Sequence, residues 1–351
     1  MISQFSKKSP KLMQSLSLVS CRAMSASSPS GFKHFELKDR HKELLTQEFL
    51  QERAVELGRD GFTIIHDLYD SETIDAVRDE MDSIISEAES TGLDENAVFT
   101  TKKQIEHLSE SVDYFLDSGS KISFFYEKDA FDKDGNLVGP LNSVLNKVGH
   151  AMHDLNPAFH QFCYSNLVKS LACNVLGFIN PCLVQTMYIF KSAKVGGEVN
   201  PHQDNTYIIS NPLSCKAIWV ALDDATKENG CMWGIPGSHK TTPIDYYMKA
   251  KRTEIKHQDG SFSHYESSVF YEPENPPEYT IENEVPLEMK KGSIVLFDGS
   301  FVHYSDHNYS SKKRHAFTMH MVETKDTVWS KDNWLQRTPD NPFRLMLEQD
   351  P

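Results

Sequence analysis

The chain of 351 residues has little that would suit a membrane or a disulfide scaffold. No uninterrupted apolar run approaches the ~18 residues needed to cross a bilayer, so no membrane span is expected. Cysteine is sparse. The six (Cys21, Cys163, Cys173, Cys182, Cys215 and Cys231) are irregularly spaced and form no C-x-x-C pair. That pattern suggests neither a zinc knuckle nor a dithiol redox motif and fits a reducing, intracellular setting. Basic residues are in the minority, with 36 Lys and Arg against 50 Asp and Glu, for a net charge of −14. Nucleic acid is therefore not an expected partner, because neutralising phosphates needs clustered Lys and Arg. A small-molecule substrate remains, and oligomeric state is not legible.

Acidic residues are missing from one place in particular. Residues 1–31 hold Lys7, Lys8, Lys11, Arg22 and many serines, and the first carboxylate is Glu36. Residues 1–40 thus read as a targeting segment of mitochondrial type or as a disordered, serine-rich tail. The C-terminal Leu347-Glu348-Gln349-Asp350-Pro351 is not a Ser-Lys-Leu peroxisomal signal. The expected location is mitochondrial or cytoplasmic. Residues 41–351 read as one catalytic domain, since no stretch rich in Gly, Ser or Pro divides them.

What is present is ordered as helices first and strands second. Apolar residues recur at helical spacing from Leu44 to Leu57, with Gly58 and Gly61 ending the pattern. Ser71 reads as the cap of a second helix, and further helical patterns cover Leu141 to Leu155 and Pro157 to Leu176. Strand-like runs are Gly61–His66 and Ile122–Tyr126, then Val184–Phe190, Gln203–Ile209, Ala217–Leu222, Gly230–Ile235, Ser293–Asp298 and His315–Val322. Short strands at this spacing predict a mainly β fold with helical support, a double-stranded β-helix of the jelly-roll, cupin-like kind. Residues 240–285 interrupt the pattern with Tyr246, Tyr247, Tyr265, Tyr271 and Tyr279 among charges, and read as a lid insertion.

The chemistry gathers at Pro201-His202-Gln203-Asp204. Side chains at i and i+2 of an extended segment point the same way, so His202 and Asp204 form two thirds of a metal clamp. Two His and one carboxylate with open positions mark non-haem Fe(II) oxygenases. His303, a few residues beyond the buried Ser293–Asp298 run, supplies the missing imidazole. Eleven residues further on, Arg314 opens the next strand. A turn at Asn308–Lys313 is expected to put His303 and Arg314 on neighbouring strands, where the guanidinium can grip the far carboxylate of 2-oxoglutarate with a two-pronged salt bridge. His150, His153, His239, His307 and His320 read as core or surface histidines.

These motifs resemble the phytanoyl-CoA dioxygenase family of Fe(II)/2-oxoglutarate oxygenases. The likeness runs from about Arg59 to Leu347 and is most specific at Gln185–Lys191, Pro201–Asp204, Asp224–Trp233 with Ile235–His239, and Asn333–Gln336. It implies Fe(II) as cofactor and 2-oxoglutarate and O2 as co-substrates, with ascorbate a possible reductant. It places His202, Asp204 and His303 at the iron and Arg314 at the co-substrate carboxylate. Met187, Gln203, Trp219 and Ser305 fall where family members line the 2-oxoglutarate pocket, together with His202 and Asp204. Lys147, in Asn146-Lys147-Val148-Gly149-His150, matches a further pocket lysine. The competing classes are a cupin-like metalloenzyme that does not use 2-oxoglutarate and a non-catalytic binding protein. Arg314 weighs against the first and the intact ligand set against the second.

Overall fold

The computed structural model describes residue 41 and residues 44–348, apart from 92–108, 129, 135, 257–261 and 340. The expectations for residues 1–40 fall outside the described residues. Helix α1 (Gln47–Asp60) is capped by Thr46, whose hydroxyl accepts from the Phe49 amide, and it stops at Gly61, which takes the left-handed conformation at φ 88°. Gly58 lies inside the helix and does not end it. Strand β1 (Phe62–Ile65) follows, then α2 (Ser71–Thr91). The capping oxygen of α2 belongs to Asp70, which accepts from the Thr73 amide at 2.9 Å, so the cap is one residue earlier than Ser71. Next come α3 (Ser109–Asp117) and β2 (Ile122–Tyr126).

The expected helix over Leu141–Leu155 does not form as one element. It divides into α4 (Leu141–Val144), strand β3 (Leu145–His150) and α5 (Met152–Leu155). Pairing on both flanks overrides the local pattern, for β3 lies between β2 and the next long strand, β4 (Pro181–Ile189). Pro157–Leu176 likewise breaks into α6 (Pro157–Cys163) and α7 (Asn166–Asn174), because Ser165 caps a new start. Beyond β4 run β5 (Val199–His202), β6 (Ser210–Asn211), β7 (Lys216–Ala221) and β8 (Met232–Gly234). A short α8 (Ser238–Thr241) leads into β9 (Tyr247–Lys256) and β10 (Phe262–Glu272). The chain then forms β11 (Val285–Leu287), β12 (Ile294–Asp298), β13 (His303–Ser305), β14 (Ala316–Glu323) and β15 (Val328–Trp329).

Two antiparallel sheets carry the architecture. The larger has the order β1-β12-β7-β14-β4-β3-β2 and the smaller β11-β8-β13-β5. Strand alternation sorts the larger sheet into two faces. Ile218, Val220, Ile294, Leu296, Phe317 and Met319 pack outward with α2, α6 and α7 residues such as Ile74, Met81, Phe159 and Leu171. Ala217, Trp219, Ala221, Val295, Phe297 and Ala316 point inward, against Met232 and Leu287 of the smaller sheet and Phe301. Burying each large side chain contributes roughly 1.5–3 kcal/mol, so both faces of the sheet are strongly committed. This is the jelly roll that the strand pattern predicts, with α2, α6 and α7 on the outward face and Phe115 and Leu116 of α3 against Phe125, Val184 and Val322 at one end of the other. The region 240–285 is built on a β9–β10 hairpin. Arg252 anchors it by donating to the Leu116 and Trp334 carbonyls.

Candidate metal and co-substrate site

His202 is the last residue of β5. Gln203 remains extended at φ −121° and ψ 134°, and Asp204 opens a 3-10 turn through Thr206. The expected strand over Gln203–Ile209 is therefore absent. The turn closes because the Thr206 and Tyr207 amides reach back to the Gln203 and Asp204 carbonyls, while Asn205 donates to Gly299 O. One extended residue between His202 and Asp204 is enough to point both the same way. Strand β13 lies between β8 and β5, with His303 opposite both His202 and Gly234.

The outcome is a three-donor cluster. The ligand atoms of His202, Asp204 and His303 all lie within 4.8 Å of one another. Asp204 Oδ1 is 3.6 Å from His202 Nε2 and 3.7 Å from His303 Nε2. Each imidazole is oriented by its other nitrogen. His202 Nδ1 is 2.8 Å from Asn200 O, and His303 Nδ1 is 3.0 Å from Phe301 O. A carbonyl can only accept, so both Nδ1 atoms carry a proton, and in the neutral imidazole each Nε2 turns its lone pair toward the cluster. Burial, followed by neighbouring His202, pushes the His303 imidazole down to about 4, which keeps it neutral. Burial alone would raise the Asp204 carboxyl, but His320 and His303 hold it well below the usual carboxylate range. Neutral imidazoles and an ionised carboxylate are the protonation states a metal needs.

Arg314 stands just before β14, which belongs to the larger sheet. His303 and Arg314 therefore lie on facing sheets and not on neighbouring strands. The Asn308–Lys313 turn carries the chain across, held by Asn308 Nδ2 donating to the Lys191 and Lys312 carbonyls. The guanidinium is buried, donates from Nε to Gly230 O at 3.1 Å and lies 5.4 Å over the Trp219 ring. Among the described residues its Nη1 has no hydrogen-bond partner. Burial pushes its pKa down to about 10. A desolvated guanidinium with an unused nitrogen is a seat for an anion.

Cross-strand register places the remaining candidates. Thr318 stands between Met187 on β4 and Trp219 on β7, all on the inward face, and the Thr318 hydroxyl is buried without a hydrogen-bond partner among the described residues. Lys147 is on a strand, opposite Ile189, with its ammonium 5.2 Å over the Phe125 ring. Burial pushes it down to about 7. Ser305 closes β13, and its hydroxyl accepts from Lys191 Nζ at 2.9 Å. Gln203 points elsewhere. Its amide donates to Ser300 O at 2.7 Å and to Thr242 O at 3.2 Å, and its oxygen accepts from the Tyr279 hydroxyl.

Three residues join this site without having been singled out for it. His320 lies 3.1 Å from Asp204 Oδ2. Its signal was the alternation Arg314, Ala316, Thr318, His320, which puts every second β14 residue on the inward face. Thr318 shares that signal. Lys191 is buried and donates to Gly197 O and Ser305 Oγ, with its pKa pushed down to about 7 by burial and by Arg314. It follows β4 in a left-handed residue at φ 37°, which no local pattern announces.

A jelly roll that gathers two imidazoles and a carboxylate into a candidate metal site defines a class of metal-dependent enzyme folds, and comparison with known proteins gives the family. The model of the phytanoyl-CoA dioxygenase (PhyH) family matches residues 57–316, and the chain belongs to that family. Phytanoyl-CoA dioxygenase of Arabidopsis thaliana is 40% identical over 277 residues, covering 79% of this chain and 90% of its own. The phytanoyl-CoA dioxygenase domain-containing protein 1 homolog of Dictyostelium discoideum is 40% identical over 297 residues, covering 84% and 99%. Among solved structures, EctD from S. alaskensis with 2-oxoglutarate and 5-hydroxyectoine superposes with a TM-score of 0.53 at 16% identity, covering 86% of this chain and 87% of that one. That likeness is one of fold.

Proposed function

We propose that this protein is an Fe(II)- and 2-oxoglutarate-dependent dioxygenase that hydroxylates a small-molecule or lipid-like substrate. The observation that carries the reading is the pairing of a three-donor cluster on one side of the barrel with a buried, half-free guanidinium on the other. The donor set fits Fe(II), with two nitrogens, one carboxylate oxygen and no thiolate. His202, Asp204 and His303 hold the metal. Arg314 takes the remote carboxylate of 2-oxoglutarate through Nη1, while Trp219 and Met187 wall the space between, and Lys147 and Ser305 add polar contacts. When bound, the iron and 2-oxoglutarate supply the oxidising chemistry with O2.

The chain's own part is positioning and exclusion of water. Asp204 contributes the one negative charge among the protein donors. The Asn200 and Phe301 carbonyls fix the imidazole tautomers. Tyr207 sets its ring edge against His202 at 5.7 Å, and Tyr246 stacks on Tyr271 at 4.9 Å. Tyr279 ties the segment after the hairpin to Gln203. These tyrosines make the hairpin a wall of the substrate entrance, the lid that residues 240–285 suggest. In anaerobic titrations the protein is expected to bind Fe(II) and then 2-oxoglutarate. In air with ascorbate it should release succinate, and Asp204→Ala should do neither. Undiminished succinate release by Asp204→Ala overturns the assignment.

A further inference from the structure

The two oxygens of Asp204 meet different groups. Oδ1 faces His202 and His303, whereas Oδ2 lies 3.1 Å from His320 Nε2. A carboxylate only accepts, so His320 carries a proton on Nε2 and donates it. His320 and Asp204 are both buried, which strengthens the bond. His320 reaches Asp204 from β14, on the sheet opposite the ligand strands, and its cross-strand neighbour on β7 is the small Ala217.

This arrangement bears on coordination number. Three protein donors leave three positions on a six-coordinate ion. A chelating 2-oxo acid takes two and O2 needs the last. A carboxylate bound through both oxygens would occupy a position that the reactants require. We propose that His320 is a positioning residue: by engaging Oδ2, it holds Asp204 to coordination through Oδ1 alone and keeps a site open for O2. The inference rests on the metal-site reading given above. It adds a role for a histidine that is not itself a ligand.

The test uses the full chain and needs no turnover. Anaerobic titration with Mn(II), followed by electron paramagnetic resonance, gives metal affinity, and Co(II) visible absorption reports coordination number. The wild-type protein is expected to bind one Mn(II), and Asp204→Ala is not. His320→Leu removes the donor and should weaken Mn(II) binding about 10–100-fold, the usual effect of losing a partner that orients a ligand. It should also shift the Co(II) spectrum toward higher coordination. His320→Gln, which retains an N–H donor of similar reach, should recover most of the affinity and the wild-type spectrum. If His320→Leu matches wild type in both measurements, the inference is overturned while the metal site stands. If Asp204→Ala binds Mn(II) as tightly as wild type, the site reading falls and takes this inference with it. Should His320→Leu not fold by circular dichroism, a crystal structure of the wild-type Mn(II) and 2-oxoglutarate complex decides. One Asp204 oxygen on the metal supports the inference; two overturn it.

Discussion

Replacing Arg314 with Met probes the co-substrate seat with the least disturbance to the fold. The guanidinium is buried, stacked on Trp219, bonded through Nε to Gly230 O, and left with Nη1 unpaired among the described residues. Met fills nearly the same volume and removes a buried cation whose desolvation opposes folding. Replacing a buried ionic group by an apolar one of similar size is often neutral or stabilising, so the ligand-free variant should melt no lower than wild type. Binding is another matter. Removing one partner of a buried, hydrogen-bonded charge pair costs about 2–5 kcal/mol. At ~1.4 kcal/mol per tenfold, the Kd for 2-oxoglutarate should rise from about 30-fold to several thousand-fold. Arg314→Lys retains the charge but loses the fork and the Gly230 bond, so it should fall between the two. Isothermal titration with 2-oxoglutarate on the Mn(II)-loaded protein measures these values, and Mn(II) affinity itself should not move. A 2-oxoglutarate Kd for Arg314→Met within about threefold of wild type, well under one charge-assisted bond, would refute the reasoning.

Other outcomes follow from the same geometry. His303→Ala removes one of two neutral nitrogen donors and should cost at least tenfold in Mn(II) affinity by the titration above, with Asp204→Ala the more severe because it also removes the charge. Gly234→Ala places a Cβ 2.0 Å from Phe301 Cζ, and the Phe301 ring stacks on His303. Overpacking of this kind costs about 1–3 kcal/mol, so a lower melting temperature and weaker metal binding should appear together. Lys147 and Lys191, each pushed down to about 7 by burial, set a pH dependence for the ligand-free protein. Above the unfolded lysine value of about 10.4 neither state is protonated and no penalty exists. Between there and about 7 the unfolded chain holds protons that the folded chain lacks, so stability falls as pH falls. Chemical denaturation from pH 10 to pH 7 should show this loss, and Lys147→Met should remove about half of it, leaving the Lys191 part; a wild-type profile that does not fall toward pH 7 contradicts the assignment.

Much of this site is legible as pattern. The i, i+2 spacing of His202 and Asp204 survives the replacement of the expected strand by a turn, because only Gln203 has to be extended. The β runs around Trp219, Leu296 and Phe317 are apolar on both faces, and both faces are buried, one under helices and one under the second sheet. The family likeness rests on short contiguous motifs, which are local by nature.

Other features are not local. Lys147 belongs to a strand only because β2 and β4 flank it, and helical spacing from Leu141 onward competes with that pairing. The placing of Arg314 across the barrel from His303 depends on which sheet β14 joins, a choice made by long-range pairing with β4 and β7. His320 and Asp204 are 116 residues apart and meet only when the two sheets close on each other. Residue types and their spacing thus determined which donors were available and which neighbours would point together along one strand. Only the folded chain decided which donors face each other across the barrel, because that distance is set by sheet packing and carries no trace in local periodicity.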